Sequence, residues 1–185
     1  MNRPSKNTGR IRIVGGMWRG TKLSVPDVEQ LRPTPDRVRE TLFNWLQDVI
    51  PGSSCLDLFA GSGALGFEAA SRGAARVVMV EQNPQLVERL QRQADTLHAT
   101  AVEIIHAEAI KWLESTQTGF DLIFLDPPFG KGLAARAISI LANGKVLCAG
   151  GRIYAETEAG LTIDPGRFQI KKQKRAGQVQ YMLLA

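Results

Sequence analysis

Residues 57–66 read DLFAGSGALG, and no other segment of the sequence indicates the fold as strongly. An apolar strand candidate, CLDLF (55–59), leads into a G-x-G-x-x-G pattern, and an apolar helix candidate follows it. Gly61 and Gly63 permit a tight turn and a close approach of a ligand to the backbone, and Gly66 lets the helix pack near the strand. The pattern predicts a nucleotide-type ligand site at the first strand of a doubly wound fold.

Strands and helices alternate on the C-terminal side of this loop. The predicted strands are 55–59, 76–81, 102–106, 121–126 and 152–156, and the predicted helices are 36–50, 64–72, 83–97, 108–115 and 132–143. Two further strands flank Ala176-Gly177 as a terminal hairpin. Alternation of this kind indicates a parallel sheet with right-handed crossovers. We therefore expect an α/β Rossmann-like fold, with a mostly parallel seven-stranded sheet and helices on both faces.

The N-terminal stretch RIRIVGGMWRGTKLSV (10–25) predicts two short strands around the turn pair Gly15-Gly16. It precedes the alternating region and is separated from it by the proline-containing connector LRPTP (31–35). We therefore expect a small β-hairpin appendage at 1–33 and one domain at 34–185.

Charge is distributed unevenly along the 185 residues, whose net charge is +5. Residues 1–26 hold six Lys and Arg and no acid, and residues 165–185 hold five and no acid. The remaining stretch, 27–164, holds 12 bases and 18 acids, so it carries −6. Clustered cations displace counterions from phosphates, so basic ends on an acidic body favour a nucleic-acid partner.

Two carboxylates near the glycine loop indicate which ligand it binds. Glu81 ends the second strand of the alternating region, where an acid accepts hydrogen bonds from ribose hydroxyls. Asp57 would repel the pyrophosphate of NAD but suits S-adenosylmethionine, which is a cation without phosphate. The loop therefore favours S-adenosylmethionine over NAD. The candidate cofactor-binding residues are Asp57, Phe59, Gly61, Gly63, Glu81, Asn83, Glu108 and Ala109; Asn83 is better suited to cap the following helix.

The fourth strand of the alternating region ends in Asp126-Pro127-Pro128-Phe129, at the carboxyl edge where doubly wound folds bind ligands. Asp126 and the carbonyl of Pro127 can accept the two N–H bonds of an exocyclic base amine and offset the charge that develops on nitrogen. Phe129 can stack on the base. The motif predicts amine methylation, with Asp126, Pro127 and Phe129 as the catalytic group. Adenine N6 in DNA and protein glutamine remain alternative acceptors, and a non-catalytic RNA-binding protein is a third possibility.

Four motifs together resemble one family: residues 57–73, DPPF (126–129), RIVGGMWRG (12–20) and RPTPDRVRETLFNWL (32–46). The sequence is similar over nearly its whole length to the bacterial 16S ribosomal RNA guanine-N2 methyltransferases of the small-subunit methyltransferase D type. The resemblance implies a class I methyltransferase fold and transfer of a methyl group from S-adenosylmethionine to N2 of a guanine. It also implies that the substrate is 16S rRNA in an assembled or assembling 30S subunit.

Candidate RNA contacts combine charge with an aromatic residue in the N-terminal hairpin. They are Arg10, Arg12, Trp18, Arg19 and Lys22, although Trp18 is equally suited to be a core residue of the hairpin. The resemblance places Arg39 beside the active site, either ordering the cofactor pocket or contacting RNA. Whether the C-terminal basic cluster contacts RNA is left open.

Several classes of protein are not expected from this sequence. No apolar stretch suits a signal peptide or a membrane span, so we expect a cytoplasmic protein without a membrane partner. Cys55 and Cys148 lack the spacing of a zinc site or a disulfide framework, so we expect reduced thiols and no metal.

Overall fold

The structure, a computed structural model, describes residues 10–24 and 36–185. The strands are β1 (Arg10–Arg12), β2 (Lys22–Ser24), β3 (Ser54–Asp57), β4 (Arg76–Glu81), β5 (Val102–His106), β6 (Phe120–Leu125), β7 (Leu147–Glu158), β8 (Ile170–Ala176) and β9 (Val179–Leu184). The helices are α1 (Asp36–Trp45), α2 (Ala64–Ser71), α3 (Pro84–Leu97), α4 (Ala109–Ser115) and α5 (Leu133–Asn143). The connector 31–35 lies outside the described residues.

Seven of these strands form one sheet in the order β5-β4-β3-β6-β7-β9-β8. The first five of them in this order pair in parallel, whereas β9 is antiparallel to both of its neighbours, β7 and β8. The chain moves outward from β3 to β5 and then returns to the other side of β3 to form β6. The crevice beside β3 and β6 is therefore the switch point at which this type of sheet binds ligands.

Two apolar layers cover the faces of the sheet. Helices α1, α2 and α3 supply one cluster with the side chains of Phe43, Phe67 and Leu90, together with Phe124 and Tyr154 from the sheet. Helices α4 and α5 supply the second cluster on the opposite face. The seven-stranded sheet with helices on both faces confirms the predicted fold.

Two element boundaries differ from the sequence-based expectation by five residues each. The first helix ends at Trp45 rather than at residue 50, because the amides of Val49 and Ile50 both turn back to the carbonyl of Leu46. Strand β7 begins at Leu147 rather than at residue 152, and an irregularity in its pairing with β6 accommodates the Gly-Gly pair. Buried apolar side chains continue through both regions, so periodicity alone did not locate these ends.

The N-terminal hairpin is a two-stranded sheet of its own, and it is packed against α2. The amide of Val14 donates to Glu68 at 2.7 Å, and the amide of Trp18 donates to Ser71 Oγ at 3.0 Å. A Cβ on Gly16 would lie 1.8 Å from the carbonyl oxygen of Ser71. Gly15-Gly16 was predicted only as a turn pair, but Gly16 is also required by this close approach to the helix. The division at 1–33 and 34–185 stays a prediction.

Helix α2 carries a buried ion network that connects it to the hairpin and to α1. Glu68 and Arg39 are both 0% exposed, and Glu68 Oε2 lies 3.9 Å from Arg39 Nη1. Arg72 donates to Glu68 Oε1 at 2.7 Å, and Arg39 Nη2 donates to the carbonyl of Arg12 at 2.7 Å. Removing one member of such a buried pair is strongly destabilising, because the other charge is left unpaired.

No helix in the described part of the chain is long and apolar enough to cross a membrane.

Candidate active site

The site lies where the carboxyl ends of β3, β4 and β6 meet. The amide of Leu58 donates to the carbonyl of Phe124, and the amide of Ala60 donates to the carbonyl of Val80, so the glycine loop is held between the two neighbouring strands. Asp57 pairs with Phe124 across β3 and β6. Asp126, two residues beyond Phe124, therefore lies at the same edge as the loop.

Asp57, the last residue of β3, connects this strand to the first turn of α2, on the far side of the glycine loop. Its Oδ2 accepts a hydrogen bond of 2.9 Å from the amide of Gly66, in the first turn of α2. Its Oδ1 is buried and has no hydrogen-bond partner among the described residues. Burial raises the pKa of the Asp57 carboxyl from an ordinary 3.8 to about 7, and the nearby Glu81 contributes to the rise. This buried carboxylate is suited to a cationic ligand, because such a ligand would stabilise its ionised form.

Glu81 connects the end of β4 to the glycine loop. One carboxylate oxygen accepts a bond of 2.9 Å from the amide of Gly61, and the other accepts a bond of 2.8 Å from the amide of Asn83. Each carboxylate oxygen can accept a second hydrogen bond, so both can still receive ribose hydroxyls. Glu81 thus orders the loop and keeps acceptor capacity for a ligand.

Two of the cofactor candidates cap helices. The side chain of Asn83 accepts bonds from the amides of Gln85 and Leu86, so it is the N-cap of α3. The carboxylate of Glu108 accepts bonds from the amides of Ile110 and Lys111 and caps α4. Each cap has a complete structural reason for its residue type. Their proposed contacts with the cofactor, like that of Ala109 in the first turn of α4, stay predictions.

The DPPF loop, residues 126–129, presents both polar and aromatic groups. Asp126 is half-buried, Pro127 is buried, and Phe129 is 37% exposed at the surface. The amide of Gly130 donates to the carboxylate of Glu158, so the end of β7 anchors the loop. The arrangement leaves an aromatic ring accessible beside a carboxylate, as stacking on a base requires.

Sequence reasoning missed a buried acid next to this loop. The hydroxyl of Tyr154 donates to Glu156 Oε1 at 2.7 Å, and both residues are buried. Burial and the charge of Glu156 raise the pKa of Tyr154 well above its ordinary value, with a smaller contribution from Asp126. Leu125 pairs with Ala155, which places Asp126 and Glu156 side by side on adjacent strands. Because β7 is buried on both faces around Glu156, alternation along this strand gave no signal for the acid.

Arg39 does not lie where RNA could reach it. Its side chain is fully buried and is held between Glu68 and the carbonyl of Arg12, an arrangement that offers RNA no surface of this residue. The alternative role, ordering the cofactor pocket, stays a prediction. Its burial has a clear cause, because Glu68 lies in the middle of an otherwise apolar helix and requires a cation. That isolated acid in ALGFEAAS was the signal in the sequence.

The other RNA candidates lie on the hairpin. The side chains of Arg12, Arg19 and Lys22 are exposed, whereas Trp18 is half-buried and packs against the core. The backbone of Arg10 pairs with that of Ser24, so Arg10 lies at the open end of the hairpin. Trp18 lies beside Ser71, the last residue of α2 and the end farthest from the glycine loop. RNA contact by these residues stays a prediction.

The glycines and carboxylates at the site fit S-adenosylmethionine as a ligand. Gly61 and Gly63 have φ of 51° and 77°, a conformation that glycine adopts without strain. A Cβ on Gly66 would lie 2.4 Å from the end of the Met79 side chain and 3.2 Å from Asp57, so a larger residue there would have to displace Met79. Two carboxylates, one with a buried oxygen lacking a partner among the described residues, match a cation that carries ribose hydroxyls.

Known proteins of similar sequence and fold identify the class and the family of this chain. The chain has the fold of a methyltransferase, and its sequence matches the profile of the family described as Conserved hypothetical protein 95 over residues 11–185. It is 44% identical over 186 residues to the ribosomal RNA small subunit methyltransferase D of Escherichia coli K12, covering 99% of this chain and 94% of that protein. The chain therefore belongs to the family described as Conserved hypothetical protein 95, together with the methyltransferases D. The predicted family and the predicted class, an S-adenosylmethionine-dependent methyltransferase, are thereby confirmed.

Two solved structures agree with the observed fold. The Escherichia coli protein yhhF superposes with a TM-score of 0.87 at 44% identity, covering 95% of this chain and 97% of that one. A Thermus thermophilus 16S rRNA guanine-N2 methyltransferase, solved with AdoMet and guanosine, superposes with a TM-score of 0.73 at 24% identity, covering 96% of this chain and 50% of that one. At that identity the second comparison concerns the fold alone.

Proposed function

We propose that the protein transfers a methyl group from S-adenosylmethionine to the exocyclic N2 amine of a guanine in 16S rRNA. The substrate is an assembled or assembling 30S subunit in the cytoplasm. The observation that carries the proposal is the meeting of two sites at one sheet edge: the glycine loop braced by Asp57 and Glu81, and the Asp126-Pro127 acceptor loop. The relatives named small subunit methyltransferase D support the choice of RNA.

The cofactor side of the site orients a ligand by charge and by hydrogen bonds. S-adenosylmethionine, when bound, supplies a methyl group made electrophilic by a sulfonium. Asp57 compensates positive charge near the loop, and Glu81 accepts hydrogen bonds from the ribose. Phe59 lies half-buried in the turn between β3 and the glycine loop. These residues bind and orient the donor, and close alignment of the reacting atoms accounts for most of the rate.

The acceptor side of the site directs a poor nucleophile. The lone pair of an exocyclic base amine is delocalised into its ring, so the amine reacts only when its N–H bonds are held. Asp126 and the carbonyl of Pro127 accept those two bonds, which points the lone pair toward the donor and offsets the developing positive charge. Pro127 and Pro128 carry no N–H, so neither prolyl nitrogen offers a competing donor to Asp126. Phe129 stacks on the base.

An acceptor comparison tests the proposal against its alternatives. Labelled S-adenosylmethionine is incubated with undermethylated 30S subunits, with duplex DNA and with a glutamine-containing protein, using the wild type and Asp126→Ala. We expect label in the 30S RNA with the wild type only. Label in DNA or protein in its place would identify another amine as the acceptor. Cofactor binding without label in any acceptor would favour a non-catalytic RNA-binding protein.

A further inference from the structure

Strand β8 forms one edge of the sheet and carries four cations: Lys171, Lys172, Lys174 and Arg175. We refer to these four residues as the β8 cluster. All four are exposed, and residues 165–185 contain no acid. The surface is therefore positive in a protein whose central region, 27–164, carries −6.

Two members of the β8 cluster lie over an aromatic ring. The ammonium nitrogens of Lys172 and Lys174 are 5.6 and 5.8 Å from the ring centroid of Trp45, at the end of α1. The Trp45 ring in turn packs against Tyr181 of β9, with centroids 5.6 Å apart. Contacts of this kind between a cation and an indole hold the ammonium groups near one position. The two lysines thus place a pair of charges over one ring, on the face of the sheet that α1 covers.

The register of the sheet places this pair level with the acceptor loop. Lys174 pairs with Tyr181, and Tyr181 pairs with Glu156. Asp126 follows Leu125, whose partner on β7 is Ala155, so Asp126 lies next to Glu156. Residues level with one another on adjacent strands project from the same face. Lys174 and Asp126 are therefore three strand spacings apart on one face, which is about 14 Å.

This separation suits an RNA strand whose target base has entered the site. Fourteen ångströms correspond to about four stacked nucleotides at about 3.4 Å each. A base that leaves its stack to reach the acceptor loop does so at an energetic cost, which nearby contacts to the flanking backbone offset. By contrast, the turn of the N-terminal hairpin is attached at Ser71, where α2 ends away from the glycine loop.

We infer that the β8 cluster binds the RNA backbone flanking the target nucleotide, with Lys172 and Lys174 on Trp45 as its principal phosphate contacts. The inference rests on the proposed function, because it takes RNA as the substrate. The competing explanation is that lysines on an edge strand prevent it from pairing with another chain. That explanation requires the charges but no RNA, so the two make different predictions.

The test compares Lys172→Gln/Lys174→Gln with a control that removes the same charge elsewhere. The control is Lys145→Gln/Arg92→Gln. Lys145 is exposed just before the amino end of β7, the end away from the acceptor loop, and Arg92 is exposed on α3. The measurements are KM and kcat for 30S subunits, the affinity for S-adenosylmethionine, and the salt dependence of binding to a single-stranded RNA. Lys172→Arg/Lys174→Arg keeps the charge and is the rescue variant.

We expect the Lys172→Gln/Lys174→Gln variant to raise KM about tenfold with kcat and cofactor affinity unchanged. Its slope of log K against log salt should fall by about 1.4, since each single-strand phosphate contact contributes about 0.7. The control and the arginine variant should retain wild-type values. Provided that the wild type methylates 30S subunits, either of two results would overturn the inference. One is an unchanged KM and salt slope in the glutamine variant, and the other is an equal loss in the control. A wild type that methylates no RNA would instead overturn the proposed function.

Aggregation of the glutamine variant would itself indicate edge protection. In that case the salt slope of RNA binding is measured with the single variant Lys174→Gln, which leaves three cations on β8. A fall in salt slope of about 0.7 supports the inference, and an unchanged slope contradicts it.

Discussion

A carboxylate oxygen of Glu81 accepts a 2.9 Å hydrogen bond from the amide of Gly61, 20 residues earlier in the chain. The bond joins the end of β4 to the glycine loop that follows the adjacent parallel strand β3, and Glu81 uses its other oxygen on the amide of Asn83. The residue proposed to bind ribose therefore also orders the loop that approaches the cofactor. Its removal should affect both interactions at once.

We expect Glu81→Ala to weaken S-adenosylmethionine binding by tenfold or more, because hydrogen bonds to charged groups contribute about 1.5–3 kcal/mol. Asn83→Ala is the matched control. It removes the cap of α3 and should lower the free energy of unfolding by about 1 kcal/mol, with a smaller effect on binding. Calorimetric titration measures both affinities, and equal losses in the two variants would contradict the role given to Glu81.

Cofactor binding should depend on pH through Asp57. The raised pKa of about 7 means that this carboxyl is largely protonated in the free protein below pH 7. Binding a cation favours the ionised form, so binding releases a proton and the affinity rises with pH up to about 7. Below that pH the Kd should increase by about tenfold per unit.

The variant Asp57→Asn isolates this effect, since any titration of the ligand itself is common to both proteins. We expect the variant to bind more weakly and to lose the part of the pH dependence that belongs to Asp57. Calorimetry in two buffers of different ionisation enthalpy counts the protons released. The same proton release by wild type and variant at pH 6.5 would assign the titration to another group.

Asp126→Ala should abolish methyl transfer while leaving S-adenosylmethionine affinity within about threefold of the wild type. Asp126 acts on the acceptor amine in our account, and Asp57 and Glu81 hold the cofactor without it. Single-turnover methylation of 30S subunits and equilibrium binding of the cofactor measure the two properties separately. Near-wild-type transfer by Asp126→Ala would mean that the acceptor is activated by another group.

Docking of the N-terminal hairpin on α2 predicts unequal effects of two glycine substitutions. Gly16 and Gly20 have φ of 76° and 87°, so alanine is strained at either position. A Cβ on Gly16 meets the carbonyl oxygen of Ser71 at 1.8 Å, whereas a Cβ on Gly20 has nothing within 4 Å among the described residues. Gly20→Ala should cost about 1 kcal/mol, from backbone strain alone.

Gly16→Ala should cost at least about 2 kcal/mol more than Gly20→Ala, because two backbone segments must separate. Urea denaturation of both variants gives the difference. Equal midpoints would indicate that the hairpin is not held against α2 in solution.

The exposed cations of the hairpin give a prediction separate from the β8 cluster. We expect Arg12→Gln/Arg19→Gln/Lys22→Gln to weaken RNA binding and to lower its salt slope by up to about 0.7 for each lost single-strand contact. Cofactor affinity should not change. A filter-binding series in KCl measures the slope, and a variant with the wild-type slope would remove the hairpin from the RNA-binding surface.

Local sequence signals predicted the fold well where they were unambiguous. Strands β4 and β5 have the predicted ends, because apolar runs there are bounded by polar and turn residues. The glycine loop and the DPPF loop were found because each motif combines residue types that its position in a doubly wound fold requires. The acid Glu156 was missed because β7 is buried on both faces, so alternation does not identify the face of a side chain.

Interactions between distant segments were the part that sequence could not supply. Arg39 and Glu68 are 29 positions apart, and although the isolated acid of α2 indicates that Glu68 needs a cation, nothing local indicates that Arg39 supplies it. The same applies to Lys174 and Asp126, whose common level depends on the register of four strands. Such relationships follow from tertiary packing rather than from propensity.

The identity of the methylated nucleoside distinguishes guanine N2 from every other acceptor in the RNA. Undermethylated 30S subunits are incubated with the protein and labelled S-adenosylmethionine, and the 16S rRNA is digested to nucleosides and separated by chromatography with mass detection. We predict that the label elutes as N2-methylguanosine, in an amount approaching one methyl group per subunit. Label in N6-methyladenosine, or in any nucleoside other than N2-methylguanosine, would contradict the account.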